Sequence, residues 1–347
     1  MQQLTSALVT GADSIIGRRL VNQLLAEKVR VVAAVHPGRS IPTAWAGRVT
    51  IIRVAARPIT DLAENHGPVD AVFQIGNSVA EGPEKTAHTD RILTTTRQSI
   101  NLALMWDAHL VATTSIRCYG TALGKGILDE RTPTGAPGSS YASIRQQEEA
   151  MIREAVAKIG LKATIIRPGN VYGSGEIPWV GQLISRLQAR QPCLIGRGNW
   201  DAGLVHMDNL VALLIAAARS PLKDGQLFVA GDGFGVTWEQ FLRALARAVG
   251  TRAPRSIPRP VARVLAILRA CNDPARHRPQ RPWLNQQTYR LMGGPNQLVP
   301  ARAERLLGYR PVTTFENAMQ DMARLFRNPP PSLPAGGQRS RQKPTAS

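Results

Sequence analysis

An α/β fold, a doubly wound parallel sheet with a smaller C-terminal subdomain, is what the sequence predicts, and three observations predict it. Apolar runs of strand length alternate with segments of helical period through the first half of the chain. A glycine-containing turn follows the first of these runs directly and opens the first helical segment. After Pro168 the alternation breaks down, and beyond Gly250 Pro and Arg become frequent. Strands that alternate with helices imply a parallel sheet covered on both faces, and the unbroken apolar character of each short strand fits burial on both sides.

The elements follow in order. Ala7-Leu8-Val9 forms the first strand and residues 15–27 the first helix. Residues 29–35, rich in β-branched side chains, form the second strand, and 49–54 and 69–75 read likewise. A long helical stretch over 86–106 leads to a strand over 109–114, and a helix over 139–158 leads to a strand over 162–167. Later segments of helical period cover 178–190, 208–218, 238–249, 301–307 and 315–326, with a strand over 226–230 among them. Residues 1–170 are thus expected to form the sheet core, joined by strands from about 205–230. Residues 171–327 would form most of a smaller subdomain, and the Pro-, Gly-, Ser- and Arg-rich stretch 328–347 a disordered tail.

A chain of 347 residues can bury a large core, and 43% apolar content is that of an ordinary globular protein. The formal charge of +19 is less ordinary, with Arg concentrated over 251–282 and after Arg327. Zinc spacing and an aromatic-basic strand signature are both missing, so nucleic acid is not expected as a partner. An Arg-rich solvated surface that favours anionic ligands, a phosphorylated cofactor included, is the simpler reading. Cys118, Cys193 and Cys271 stand far apart, which excludes a disulfide framework and a Cys-type zinc site and fits a reducing compartment. The start, MQQLTSALVTGAD, shows no signal-peptide pattern, and no stretch approaches the ~18 to 20 apolar residues of a membrane span. A cytoplasmic location is the resulting expectation. Residues 260–269 carry enough apolar side chains to pack on a substrate pocket as a lid, which is favoured over contact with an anionic membrane surface.

Three segments carry chemistry. Val9-Thr10-Gly11-Ala12-Asp13-Ser14-Ile15-Ile16-Gly17 lies between the first strand and the first helix. Glycine lets the backbone approach a pyrophosphate, and the helix N-terminus offers free N–H groups and a positive dipole end. Thr113-Thr114-Ser115-Ile116-Arg117-Cys118-Tyr119-Gly120 follows the fifth strand, with Ser139-Ser140-Tyr141-Ala142-Ser143-Ile144-Arg145 further on. A hydroxyl at a strand's C-terminal end and a Tyr opening a helix would both face the crevice of the sheet. A phenol near a cation can act as general acid or base, and Arg145, four residues on, shares the helix face of Tyr141. In Ile165-Ile166-Arg167-Pro168-Gly169-Asn170-Val171-Tyr172-Gly173 a strand stops at Pro-Gly and opens into a loop.

Together these segments resemble the extended short-chain dehydrogenase/reductases, the NAD(P)-dependent epimerase/dehydratase superfamily, over about residues 4–326. They resemble its TGxxGxxG loop, its Ser before a VYG-like tripeptide, its YxxxK helix and its RPxxVYG strand end. Leu204-Val205-His206-Met207-Asp208-Asn209-Leu210 is similar to its FVHVDDLA-like segment, and Leu307-Gly308-Tyr309-Arg310-Pro311 to its closing LGYxP element. Ile257-Pro258-Arg259-Pro260 before an apolar helix resembles most the 3β-hydroxysteroid dehydrogenase-like branch. The resemblance implies a Rossmann-type fold and an oxidoreductase or epimerase acting on a small-molecule substrate, and it leaves room for a homodimer. Gly11, Asp13, Ser14, Ile15 and Gly17 would line the pyrophosphate loop, and His36 and Arg39 the adenosine ribose. Ile75, Gly76, Pro168 and Val171 would border the rest of the cofactor. Ser115 would hydrogen-bond the substrate oxygen, Tyr141 would shuttle the proton, and Arg145 would stand where a Lys holds the nicotinamide ribose; no metal is implied.

This sequence departs from the family pattern at several points. Ser14 replaces the middle glycine, and Ile15 occupies the alternative glycine slot. Ala55-Ala56 replaces a Gly-Asp pair, and Gln74-Ile75-Gly76-Asn77 a His-Leu-Ala-Ala-like stretch. Arg145 replaces the Lys, keeping the charge but releasing no proton readily, which opens the alternative of a catalytically silent cofactor-binding protein. The second strand ends Ala34-Val35-His36-Pro37-Gly38-Arg39 with no carboxylate to accept from a ribose 2′-hydroxyl. NADP is therefore the preferred cofactor and NAD the alternative, with Asp13 arguing the other way. Trp200-Asp201-Ala202-Gly203 stands where an Arg often grips a diphosphate, which tilts the substrate from nucleotide sugars, the epimerase/dehydratase alternative, toward a ketone or secondary alcohol.

Overall fold

Strand β1 (Ser6–Thr10), β2 (Arg30–Val35), β3 (Val49–Arg53), β4 (Ala71–Gln74), β5 (His109–Thr113), β7 (Ala163–Pro168) and β11 (Asp224–Ala230) form one seven-stranded sheet in the order β3-β2-β1-β4-β5-β7-β11. All six pairings are parallel. The computed structural model describes residues 2–54, 66–76, 85–175, 177–271 and 283–327; the Ala55-Ala56 pair, Asn77 and the 328–347 tail lie outside them. The doubly wound parallel sheet expected from the alternating pattern is present.

Both faces of the sheet are covered, which is why its strands carry no polar alternation. On β1, Ala7 and Val9 point to a core shared with helix α1 (Ile15–Ala26) and helix α5 (Met207–Ala218). Leu8, between them, points to a core shared with helix α2 (Lys85–Met105) and helix α3 (Ser140–Ile159). Strand order reverses between β1 and β4: β2 continues from β1 on one side and β4 pairs on the other. In open α/β sheets such a switch point places a crevice at the carboxyl ends of the strands. Ser115, Tyr141 and the Gly11–Gly17 loop all belong to that edge.

The C-terminal part adds helix α4 (Pro178–Gln188), helix α6 (Trp238–Ala248), helix α7 (Arg259–Cys271), helix α8 (Gln286–Gly293), helix α9 (Ala301–Leu307) and helix α10 (Phe315–Arg327). Three short parallel pairs tie it together: β8 (Asn170–Tyr172) with β10 (Leu204–His206), β9 (Pro192–Ile195) with β12 (Arg255–Ile257), and β6 (Gly126–Leu128) with β13 (Asn296–Leu298). A third core fills this region, with Tyr172, Trp238, Phe241, Leu242 and Leu245 buried in it. Tyr172, Phe241, Trp179 and Trp238 meet mostly edge to face, with centroids 5.7 to 6.5 Å apart, the arrangement that aromatic quadrupoles favour. The sequence did not predict α8 or these three-residue ladders. Among the described residues no helix is long and apolar enough to cross a membrane, and no cluster of side chains could hold a metal ion.

Candidate active site

The turn after β1 is built around two glycines with different tasks. Gly11 takes φ +63°, the left-handed conformation that only glycine adopts cheaply. Gly17 lies inside α1, where a β-carbon would collide with the Gly11 carbonyl oxygen and lie 2.8 Å from Ala12 Cα. The missing side chain lets the first turn of α1 rest directly on the loop. Ala12 N–H donates to Ala34 O at 3.1 Å and fastens the loop to the end of β2.

Ser14 has ordinary extended geometry (φ −72°, ψ 163°) and caps α1, its hydroxyl accepting from Gly17 N–H at 3.0 Å. The residue in the middle-glycine position therefore acts as a helix N-cap, and it occupies one amide that a glycine would leave open. The amides of Ile15 and Ile16, in the first turn, have no partner inside the helix. A pyrophosphate fits that end of α1: glycine at both close approaches, free amides, and the positive end of the helix dipole.

At the end of β2, Arg39 Nε lies 3.6 Å from Asp13 Oδ2, with Arg39 well exposed and Asp13 largely covered. His36 Nδ1 is 2.8 Å from Pro37 O, and Arg91 of α2 reaches His36 Nε2 at 3.4 Å. A donor at Nδ1 leaves Nε2 as the acceptor for Arg91. Arg18 donates to Asp13 O and Ser40 O, at 3.2 and 2.8 Å. Arg91 and Arg18 were not singled out in the sequence. Their separation from His36 in the chain gave no signal that they share its surroundings.

Past β4, Ile75 is buried and its N–H donates to Thr10 O at 3.3 Å. Gly76 N–H donates to Thr113 Oγ1 at 3.0 Å, and Thr113 donates in turn to Gln74 O at 3.0 Å, which holds the ends of β4 and β5 together. Ser115 begins a tight 3-10 turn, its hydroxyl accepting from Arg117 N–H at 3.2 Å. Tyr141 stands in the first turn of α3, whose N-cap is Ser139, accepting from Ala142 N–H at 3.1 Å.

Arg145, one turn beyond Tyr141, has only 2% of its surface exposed. Its Cζ lies 5.1 Å from the centre of the Tyr141 ring, a cation–π distance. Nη1 donates to Glu148 Oε2 at 2.6 Å. The other carboxylate oxygen of Glu148 accepts from Gln74 Nε2 at 2.9 Å and Thr96 Oγ1 at 3.0 Å. Burial works against the guanidinium charge, but Glu148 and Tyr141 more than offset it and hold Arg145 above its ordinary pKa. Glu148 could have been sought in the sequence, since residues three apart on a helix are neighbours; Gln74 and Thr96 carry no such mark.

A second buried pair joins α3 to the end of β7. Arg167 donates to Glu149 at 2.8 and 2.6 Å, and Thr114 Oγ1 donates to the same carboxylate at 2.8 Å. Burial would raise the Glu149 carboxyl, yet these donors hold it below the usual carboxylate range. Arg167 also faces the Tyr119 ring at 4.8 Å. Tyr119 donates to Asp129 O at 2.5 Å, and burial pushes its phenol up to about 12. Cys118 is buried too, its thiol pushed up to about 12 by burial and then by Glu149, so it has no thiolate character at neutral pH. Pro168 ends β7 in a buried position, and Val171 lies partly buried in β8.

Residues 7–231 match the NAD dependent epimerase/dehydratase family, and the chain belongs to it. It is 24% identical over 196 residues to the 3beta-hydroxysteroid-dehydrogenase/decarboxylase isoform 1 of Arabidopsis thaliana, covering 52% of this chain and 44% of that one. It is 30% identical over 129 residues to the ceramide reductase of Caulobacter vibrioides, covering 35% and 37%. The chain thus spans about half the length, or less, of these relatives. Among solved structures, MoeE5 in complex with UDP-glucuronic acid and NAD superposes with a TM-score of 0.69 at 19% identity, over 93% of this chain and 99% of that one. The likeness extends the shared fold beyond the family match, through the C-terminal part.

Proposed function

We propose that this chain is an NADP-dependent oxidoreductase of the ketoreductase or alcohol dehydrogenase type, acting on a small organic ketone or secondary alcohol. The observation that carries the reading is the placement of Ser115 and Tyr141 at the carboxyl edge of the sheet, beside its switch point, with Arg145 stacked beneath the phenol. The names of the Arabidopsis and Caulobacter relatives, a dehydrogenase/decarboxylase and a reductase, support carbonyl–alcohol chemistry, and the former supports the 3β-hydroxysteroid dehydrogenase-like branch. The missing carboxylate at the end of β2, with His36, Arg39 and Arg91 close by, supports NADP over NAD. Residues up to about 170 would form the cofactor side, and 171–327 most of the substrate side.

Gly11, Ile15 and Ile16 would hold the pyrophosphate, with Asp13, Ser14 and Gly17 shaping the loop. Ile75, Gly76, Pro168 and Val171 would border the remainder. When bound there, a nicotinamide cofactor would supply hydride-transfer chemistry in either direction. Ser115 then donates to the substrate oxygen and fixes its direction. Tyr141 gives its phenolic proton to that oxygen as the alcohol forms, and takes it back in oxidation. Arg145 steadies the ring from below.

The test is turnover by an NADPH-loaded enzyme against a panel of ketones, with Tyr141→Phe alongside. Removing a positioned proton donor costs roughly 10²- to 10⁴-fold in rate, while NADPH binding should persist because the ring still packs. Full activity of Tyr141→Phe would refute the mechanism. A second reading, a catalytically silent cofactor-binding protein, is favoured by the pairing of Arg145 with Glu148, which engages the cation elsewhere. It becomes the better one if NADPH binds and no ketone or alcohol turns over.

A further inference from the structure

The guanidinium of Arg145 lies in a socket that exists because residue 76 has no side chain. A β-carbon built on Gly76 would stand 2.6 Å from Arg145 Nη2 and 2.7 Å from Cζ, well inside contact distance. The Gly76 backbone does not itself call for glycine, since it is not among the residues with positive φ. Space for the Arg145 guanidinium is a sufficient reason for glycine at this position. The atoms it would displace are not the free end of a surface chain. They belong to a guanidinium with 2% exposure, hydrogen-bonded to Glu148 at 2.6 Å.

Glu148 is fixed just as closely, through Gln74 on β4 and Thr96 on α2, and Gln74 also contacts Thr96 at 2.7 Å. Three elements therefore build one enclosure: β4 with the two residues after it, α2, and α3. A buried cation without a counter-charge is strongly disfavoured, so Glu148 is what allows an Arg to be held there. The flat guanidinium is left between Gly76 and the Tyr141 ring.

We propose that Gly76, Arg145 and Glu148 act as one matched unit: the missing side chain of Gly76 admits the guanidinium, Glu148 anchors it, and together they shape the cofactor crevice beneath Tyr141. Gly76 and Glu148 are positioning residues, and Arg145 is not a simple exchange for Lys. This inference rests on the cofactor site proposed above.

The experiment is a double-mutant cycle on the full chain, reading NADPH affinity by titration and the melting temperature of the ligand-free protein. Gly76→Ala should weaken NADPH binding roughly tenfold, the scale of one lost charge-assisted hydrogen bond. In an Arg145→Lys background, whose slimmer side chain leaves room for a methyl group, the same substitution should cost less than threefold. Equal losses in both backgrounds would overturn the size match. If Gly76→Ala does not fold alone, the Arg145→Met/Glu148→Gln variant decides. Replacing a buried ion pair with neutral groups should restore the melting temperature lost in Glu148→Gln, yet leave NADPH weakly bound. Recovery of both would make the unit mere packing and overturn its role at the site. A wild-type chain that binds no NADPH would overturn the proposed function and that role together, whereas the melting-temperature cycle would still report whether the residues are coupled.

Discussion

A β-carbon at residue 17 would collide with the Gly11 carbonyl oxygen, whereas at residue 14 the chain carries a side chain without strain. The two positions differ because Gly17 lies where α1 touches the loop, and Ser14 lies at the helix mouth, where a hydroxyl can cap an amide. The sequence made the loop visible but not this division of labour, which depends on where the helix axis points. The basic cluster at the end of β2 follows similar logic. Arg39 is 70% exposed at its side chain and 3.6 Å from the largely covered Asp13; a long ion pair with a solvated guanidinium contributes little, so Arg39 can turn to a 2′-phosphate at small cost. NADPH should therefore bind more tightly than NADH. Arg39→Ala and Arg91→Ala should each reduce that preference roughly tenfold, the worth of a charge-assisted hydrogen bond, as read by nicotinamide fluorescence titration. Equal affinities in the wild type, or NADH preferred, would show that the cluster serves another purpose. His36 and Arg39 could be marked in the sequence because they follow a strand. Arg91 could not, because only the packing of α2 brings it near.

Elements buried on two faces announce themselves, and those resting on one do not. The strands of the main sheet are short apolar runs, and the helices between them are long stretches without proline, so both could be placed to within a few residues. The differences sit at the ends: β2 starts at Arg30, β4 covers Ala71–Gln74, and Ser139 is the cap of α3 and not its first turn. The pairs β8–β10, β9–β12 and β6–β13 are three or four residues long, too short for any period to emerge. Helix α8 escaped because its sequence QQTYRLMG is polar, yet Gln287 is buried and accepts from Arg117 Nη1 at 2.8 Å. Helix α7 overlaps the segment expected to close on the pocket as a lid, and it presents its small residues inward. Ala262 and Ala266 face inward at 0% and 1% exposure, while Val264 and Leu268 point outward at 55% and 56%. Small residues on the inner face let the helix lie close to α8. Ala262→Leu should therefore overpack that contact and lower stability by about 1 to 3 kcal/mol, whereas Val264→Gln should leave the melting temperature unchanged. A comparable loss from both substitutions would mean that the outer face is also packed.

Across the whole molecule, the order of the sheet puts its most enclosed polar groups on the inner strands, and one of them should govern its behaviour in acid. His109 opens β5, between β4 and β7, with no exposed surface. Its Nε2 is 2.9 Å from Thr164 Oγ1, and its Nδ1 is 3.4 Å from Ala218 O. Burial is the main cause that pushes its pKa down to about 4, and Lys223 and Lys162 add to it against the Ala218 carbonyl. In the folded chain the ring therefore stays neutral to about pH 4, while in the unfolded chain it takes a proton near its ordinary value of about 6.5. Between those limits the unfolded state binds more protons, so stability is full above pH 6.5 and is lost as the pH falls toward 4. The loss is on the order of 3 kcal/mol at one pKa unit per 1.4 kcal/mol. Asp232 works in the opposite sense: burial raises its carboxyl to about 6, so the folded state holds its proton more tightly and stability falls as pH rises between about 4 and 6. The two contributions overlap with others of either sign, since burial also lowers the pKa of His206 and raises those of Asp201 and Glu130, and the wild-type slope in this window is the sum of them all. His109→Gln keeps a hydrogen-bonding side chain of similar size and removes this one titration, leaving the others in place. Melting temperatures measured from pH 4 to 7 should then rise toward acid in His109→Gln relative to the wild type, with the two proteins converging in slope above pH 6.5. Parallel curves across the whole range would show that the imidazole is not held neutral by its burial.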